Sequence, residues 1–245
     1  MDPLAPLLDL PGVPDAVAAA REAVDQVHAH QVNRRGWPTT AAEASVRAAR
    51  ASAALAGANT EIPSAGEVTE PRLAGALRIA ESIGPMLPTW QRAPMQALAK
   101  LHMLAAADLV PDEELGRPRA SRAVSRRLDL LGDIIAGGTA VPGAVLVAVV
   151  HGELLALTPF GSADGVVARA AARLTMIGTG LDPKGLTVPE VFFYRRADRY
   201  RAAAAAFATG TDEGLAEWIL LSCEAVEAGA KEAVSIADST LADRR

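Results

Sequence analysis

Thr158-Pro159-Phe160-Gly161-Ser162-Ala163-Asp164-Gly165-Val166-Val167-Ala168-Arg169 reads as a loop that runs into the start of a helix. Such a junction offers an anion backbone N–H groups that have no partner inside the helix. Asp164 falls where the N-cap of that helix is expected. There its carboxylate would accept from the N–H groups of the following turn, the same donors that would hold a phosphate. A fixed negative charge about 4 Å from a phosphate costs roughly 1–4 kcal/mol, depending on the local dielectric. The expectation is therefore that Asp164 supplies the anion from within the chain and leaves weak or no binding of an external phosphate.

The chain around this segment has 245 residues, long enough for a substantial core in one large domain or a domain with an arm. Half of it is hydrophobic and only 4% aromatic. Its alanine-rich composition implies closely packed helices rather than sheets rich in Val, Tyr and Thr. A formal charge of −5 gives no support to a nucleic-acid surface. The single cysteine, Cys223, excludes an internal disulfide and a cysteine-based zinc site, and its apolar helical surroundings suit a small core residue. The first residues have no basic region and are broken by Pro11 and Pro14, unlike a signal peptide. The longest apolar run, Ala140 to Val150, falls short of the about 20 residues that span a bilayer. A cytoplasmic protein that meets neither membrane nor nucleic acid is expected.

The periodicity predicts an all-α fold. A proline-rich lead of residues 1–12 precedes a helix from Asp15 to about His30, together an N-terminal arm over 1–36. The arm either covers the domain's own core or packs against a second copy of the chain. The main domain spans 37–245. Thr39 or Thr40, with Glu43 in capping-box register, opens a helix to Ala56 that Gly57 ends. Residues 58–71 read as a loop with room for a short β-hairpin flap. Helices follow over about 72–84, 92–107, 120–136, 141–156, 165–179, 189–207 and 212–240, with Thr211 or Asp212 capping the last. His28 and His30 point to different faces of their helix, which argues against a metal pair. Arg195, Arg196, Arg199 and Arg201 beside Tyr194 and Tyr200 form either a solvated helix face or a surface for an anionic partner.

The segment 158–169 resembles the signature of the Fic (Fido) family, H-P-F-x-[D/E]-G-N-G-R-x-x-R, in a degenerate form, and the chain is similar to actinobacterial Fic-like proteins. The likeness extends over about residues 40–235. His151 lies in register with a family histidine before the motif. Leu101-His102 with Gly116-Arg117-Pro118-Arg119 looks like the family's LH and G-x-x-R segment, and Val188-Pro189, Tyr194, Tyr200 and Asp212 to Trp218 resemble its closing helices. Ser52 to Gly57 matches the frame of the family's inhibitory helix, [S/T]-x-x-x-E-[G/N], with Ala56 in place of the glutamate. Glu61, about 140° further around a continued helix, does not substitute for it.

The resemblance implies a helical fold and a site that transfers AMP, or a related group, from ATP with Mg²⁺ to a protein hydroxyl. It also implies what this chain lacks. Thr158 stands where the family has its catalytic histidine, and a threonine is no base at pH 7. Ser162 replaces the carboxylate that holds the metal, and Val166 replaces the first motif arginine. Pro159, Phe160, Gly165 and Arg169 are kept. Phe160 is expected to anchor the loop, and Gly165 to allow close approach or a positive φ. Arg169, without its glutamate, needs another carboxylate, a bound anion or water. His151 is expected to order the junction of helix and loop. The ligand-binding candidates are Gly161, Ser162, Ala163, Asp164, Gly165 and Arg169; the inhibitory-helix positions are Ser52, Ala56 and Gly57. Two readings stand: a pseudoenzyme that binds a protein partner or a small anionic ligand, or an active transferase of nucleotidyl or phosphorylated groups with altered chemistry.

Overall fold

The computed structural model describes residues 2–64 and 66–242. These residues form eleven α-helices and no strand: α1 Val13–Ala29, α2 Gln31–Arg35, α3 Trp37–Leu55, α4 Pro71–Arg92, α5 Pro94–Ala106, α6 Arg122–Asp133, α7 Gly143–Leu157, α8 Asp164–Gly178, α9 Pro189–Arg195, α10 Ala197–Phe207 and α11 Asp212–Ala242. The all-α reading therefore holds. No strand forms among the described residues of 58–71, so the room left there for a hairpin is not used.

Two helices at the centre explain where the motif loop sits. In α7 the residues from Ala144 to Gly152 are all buried, and in α8 the same is true from Val166 to Met176. A helix buried on every side has no solvent face and sits in the middle of a bundle, here even where α8 carries Arg169 and Arg173. α7 and α8 pack on each other, and the loop 158–163 joins them. α3, α4 and α5 cover α8, while α1, α10 and α11 cover α7. Trp218 of α11 is fully buried against α7 and donates its indole N–H to the Ala148 carbonyl at 2.7 Å.

The prolines at 85 and 88 do not end a helix as expected near residue 84. α4 runs on through both to Arg92. Its buried residues Ile79, Ile83, Met86 and Trp90 keep one helical stripe across them, while Pro85 and Pro88 face solvent, where the carbonyls they leave unpaired meet water. The expected helix 189–207 instead breaks at Arg196 (φ −123°, ψ 38°) into α9 and α10. Thr40 does not cap α3. Its hydroxyl donates to Asn33 Oδ1 at 2.7 Å, and Glu43 pairs with Arg47 rather than closing a capping box. Thr211 caps α11, accepting from the Gly214 N–H at 3.2 Å.

The N-terminal arm lies on the chain's own core. Val13, Val17, Ala20 and Val24 of α1 are buried in the same apolar cluster as α7, α8 and α11. His28 meets Asp182 at 2.8 Å and His30 meets Asp238 at 3.2 Å, so the two histidines serve separate partners. The arginine-rich stretch after Tyr194 is met by acids: Arg195 with Glu232, Arg199 with Glu224, and Arg201 with Asp198. Cys223 is buried, with its thiol pushed up to about 12 by burial and by Glu227. No described helix is long and apolar enough to cross a membrane.

Candidate functional site

The motif loop is bent by three residues at positive φ: Thr158 (+41°), Gly161 (+79°) and Ala163 (+52°). Glycine adopts this region freely; alanine and β-branched threonine do so at a cost of order 1–3 kcal/mol and persist there only when neighbours hold them. Two side chains do so. Arg119, from the segment before α6, donates from Nη2 to the Leu157 carbonyl at 2.8 Å and to Thr158 Oγ1 at 3.1 Å, and its backbone N–H donates to the Pro159 carbonyl at 2.8 Å. His102 of α5 stacks on Phe160 with ring centroids 4.2 Å apart and 5° between planes. Its Nδ1 accepts from the Gly116 N–H at 2.9 Å. The ring proton is therefore on Nε2, which donates to Ser162 Oγ at 2.9 Å. Burial lowers the His102 pKa, keeping the ring neutral.

Asp164 does not cap α8 as expected. It is the first residue of the helix, and Ala163 takes the N-cap position with no side chain to offer. The Asp164 carboxylate turns back instead and accepts from the N–H groups of Phe160 at 2.9 Å and Gly161 at 2.8 Å. Burial raises its pKa against the opposing pull of those two bonds and of Arg119. The ladder of α8 begins with the Val167 N–H on the Ala163 carbonyl, so the N–H groups of Asp164, Gly165 and Val166 stay outside it. The internal carboxylate thus serves the loop and not the donors of the next turn.

Among the described residues Arg169 hydrogen-bonds to no carboxylate; its partners lie on α3 and α10. Its Nε donates to Ser52 Oγ at 2.8 Å, its Nη2 to the Ser52 carbonyl at 2.9 Å, and its Nη1 to the Tyr200 hydroxyl at 3.2 Å. It is 5% exposed. Gly165 permits this by close approach and not by positive φ, since a Cβ there would lie 3.2 Å from Arg169 Nη1. Because arginine only donates, the Tyr200 hydroxyl accepts from it, and the same hydroxyl is hydrogen-bonded to His151 Nε2 at 2.8 Å. His151 is buried, and burial together with Arg169 holds its pKa well below the ordinary value. It ties α7 to α10 rather than ordering the loop junction.

A cleft of about 440 Å³ opens over the start of α8. Residues 161–166 and Arg169 line it, with Leu55 and Ala56 from the end of α3 and Arg72 from the first turn of α4. Ala56 thus stands on the cleft wall with no carboxylate, and Ser52, one turn back, is the residue of that frame that reaches Arg169. Thr158 is exposed outside the lining, and Val166 is buried in the core. Among the described residues no cluster of three or more His, Cys, Asp or Glu side chains is placed to hold a metal ion. Sequence reading did not single out His102, Arg119 or Tyr200 as parts of this site. The first two lie in the segments similar to LH and G-x-x-R, which was the signal available for them.

This architecture is the Fic fold. The chain is similar to the crystal structure of a Fic family protein from Desulfovibrio desulfuricans G20, with a TM-score of 0.74 and 19% identity over 92% of this chain and 74% of that one. It is similar as well to Fic-1 from C. elegans, with a TM-score of 0.72 and 14% identity over 93% of this chain and 73% of that one. No protein-family model matches the chain, and no curated protein matches its sequence.

Proposed function

We propose that this Fic-fold chain is a pseudoenzyme: the cleft over α8 binds a small anionic ligand, or an anionic segment of a protein partner, and transfers nothing. One observation carries the reading. No histidine is available as a base at the motif loop. Thr158 occupies the family position, both ring nitrogens of His102 are engaged, and His151 is buried against Tyr200. Losing a general base alone costs about 10²–10⁴ in rate. Ser162 is held by His102, and both oxygens of Asp164 face backbone N–H groups, so neither offers Mg²⁺ the free carboxylate that a hard cation prefers. The N–H groups of the first turn of α8, with Arg72 across the cleft, favour an anion without a metal.

Incubation with α-³²P-labelled ATP and Mg²⁺ is expected to label neither the protein nor candidate targets. Calorimetry is expected to give binding of Mg-ATP weaker than micromolar. A label that vanishes in Gly165→Arg protein, or micromolar Mg-ATP binding, overturns the proposal. The alternative, a transferase with altered chemistry, is favoured by the open cleft at Ala56. It would be supported by a covalent adduct in a mass-spectrometric screen across nucleotides and phosphorylated head groups.

A further inference from the structure

Arg169 and Arg173 lie one turn apart on α8, both buried, and among the described residues the carboxylate that shares their cavities is Glu190 of α9, itself 6% exposed. Glu190 Oε1 lies 3.9 Å from Arg173 Nη1, while Oε2 has no hydrogen-bond partner. Arg173 spends two donors on the carbonyls of Gly185 and Thr187. Arg169 uses three of its five N–H groups and touches no carboxylate. Two small cavities, of about 30 and 20 Å³, open here, and Arg169, Arg173 and Glu190 line both of them. Ser45 and Ser52 add polar groups to the first, His151 and Ser222 to the second.

We infer that these cavities are hydration sites, and that their water carries hydrogen bonds from Arg169 and Arg173 to Glu190 Oε2, making Glu190 the internal counter-ion of Arg169. A water needs about 10–15 Å³ of such space and two to four polar partners, and each cavity supplies both. A buried carboxylate oxygen without a donor is costly, as is a buried arginine without an opposite charge, and the same bridging water relieves both. Ala56, on the cleft wall, brings Arg169 no carboxylate, so the balancing charge comes here from Glu190, which shares both small cavities with it. Glu190 is thus a positioning residue for Arg169, whether or not the cleft takes a ligand.

The test is a crystal structure of the unaltered protein at about 1.5 Å, with a thermal double-mutant cycle. Water density is expected in both cavities, within about 2.6–3.2 Å of Glu190 Oε2 in at least one. Glu190→Gln is expected to lower Tm by at least about 5 °C, at roughly 2–4 °C per kcal/mol for a chain of this size. Combined with Arg169→Met, it is expected to cost clearly less than the sum of the two single shifts. Empty cavities, a direct contact between Glu190 and Arg169, or additive shifts overturn the inference. If Arg169→Met does not fold, the density decides alone.

Discussion

His102 shows how much of the loop's shape is held from outside it. Its ring stacks on Phe160, takes the Gly116 N–H and gives a proton to Ser162, so one side chain joins α5, the segment before α6 and the motif loop. Replacing it with alanine leaves the Gly116 donor and the Ser162 hydroxyl without their partner and opens a gap beside Phe160. The expected cost is about 2–4 kcal/mol, read as a lower urea midpoint at unchanged slope. Thr158→His is expected to give no labelling from α-³²P ATP, because Ser162 and Val166 still offer no metal ligand and no cation. Part of this was legible in the residues. Ser52 and Ala56 fell in an inhibitory-helix frame, and the structure brings the first to Arg169 and the second to the cleft wall. The direction of Asp164 was not legible. It turns on Ala163 adopting φ +52°, which alanine rarely does and which no local pattern announces.

At the scale of elements, local rules failed where packing overrode them. Gly84-Pro85 and Pro88 read as breaks, yet Ile79, Ile83, Met86 and Trp90 bury one continuous stripe, and their burial outweighs the lost backbone bonds. The prolines sit on the solvent side, so removing one restores a bond without disturbing the core. Pro88→Ala is therefore expected to stabilise the protein by about 1–2 kcal/mol, a rise of a few degrees in Tm by calorimetry. A fall in Tm would mean that the proline fits a local bend that alanine cannot keep. The start of α3 failed for the opposite reason. Thr40 had a better partner in Asn33 of α2, seven residues earlier, and a pairing between two helices is invisible to a capping rule applied within one. The expected helix 189–207 parts at Arg196, where α9 turns into α10, and no glycine or proline marks that turn in the sequence.

For the whole molecule, the helical class was legible because alanine-rich amphipathic stretches leave few other architectures, and the motif placed the loop between α7 and α8. The arm's destination was left open between the chain's own core and a second copy; the buried stripe of α1 places it on the former. Charge sets the response to pH. His151 is held well below its ordinary value of 6.5, and His102 is lowered as well. The unfolded chain takes up protons near pH 6.5 that the folded one refuses, so stability is full above that pH and falls on acidification. The expected loss is about 1.4 kcal/mol per pH unit for a histidine kept wholly neutral, checked by urea titrations at pH 7.5 and 5.5. Asp164, with its raised pKa, acts in the opposite sense, adding stability as the pH falls through that raised value toward 3.8. Asp182 is pushed up by burial, but bonds from His28 and Thr187 hold it below its ordinary 3.8, so its share of stability is lost only below that pH. The arm gives the sharpest test. Val13, Val17 and Val24 each bury a side chain worth about 1.5 kcal/mol or more, and His28 adds its bond to Asp182. Deleting residues 1–30 would strip α7 and α11 of that cover and remove much of a typical net stability of about 5–15 kcal/mol. The shortened chain is expected to lose its cooperative thermal transition. Retention of a sharp transition at an unchanged Tm, with a mass shifted only by the deletion, would show that the arm contributes nothing to the core it touches.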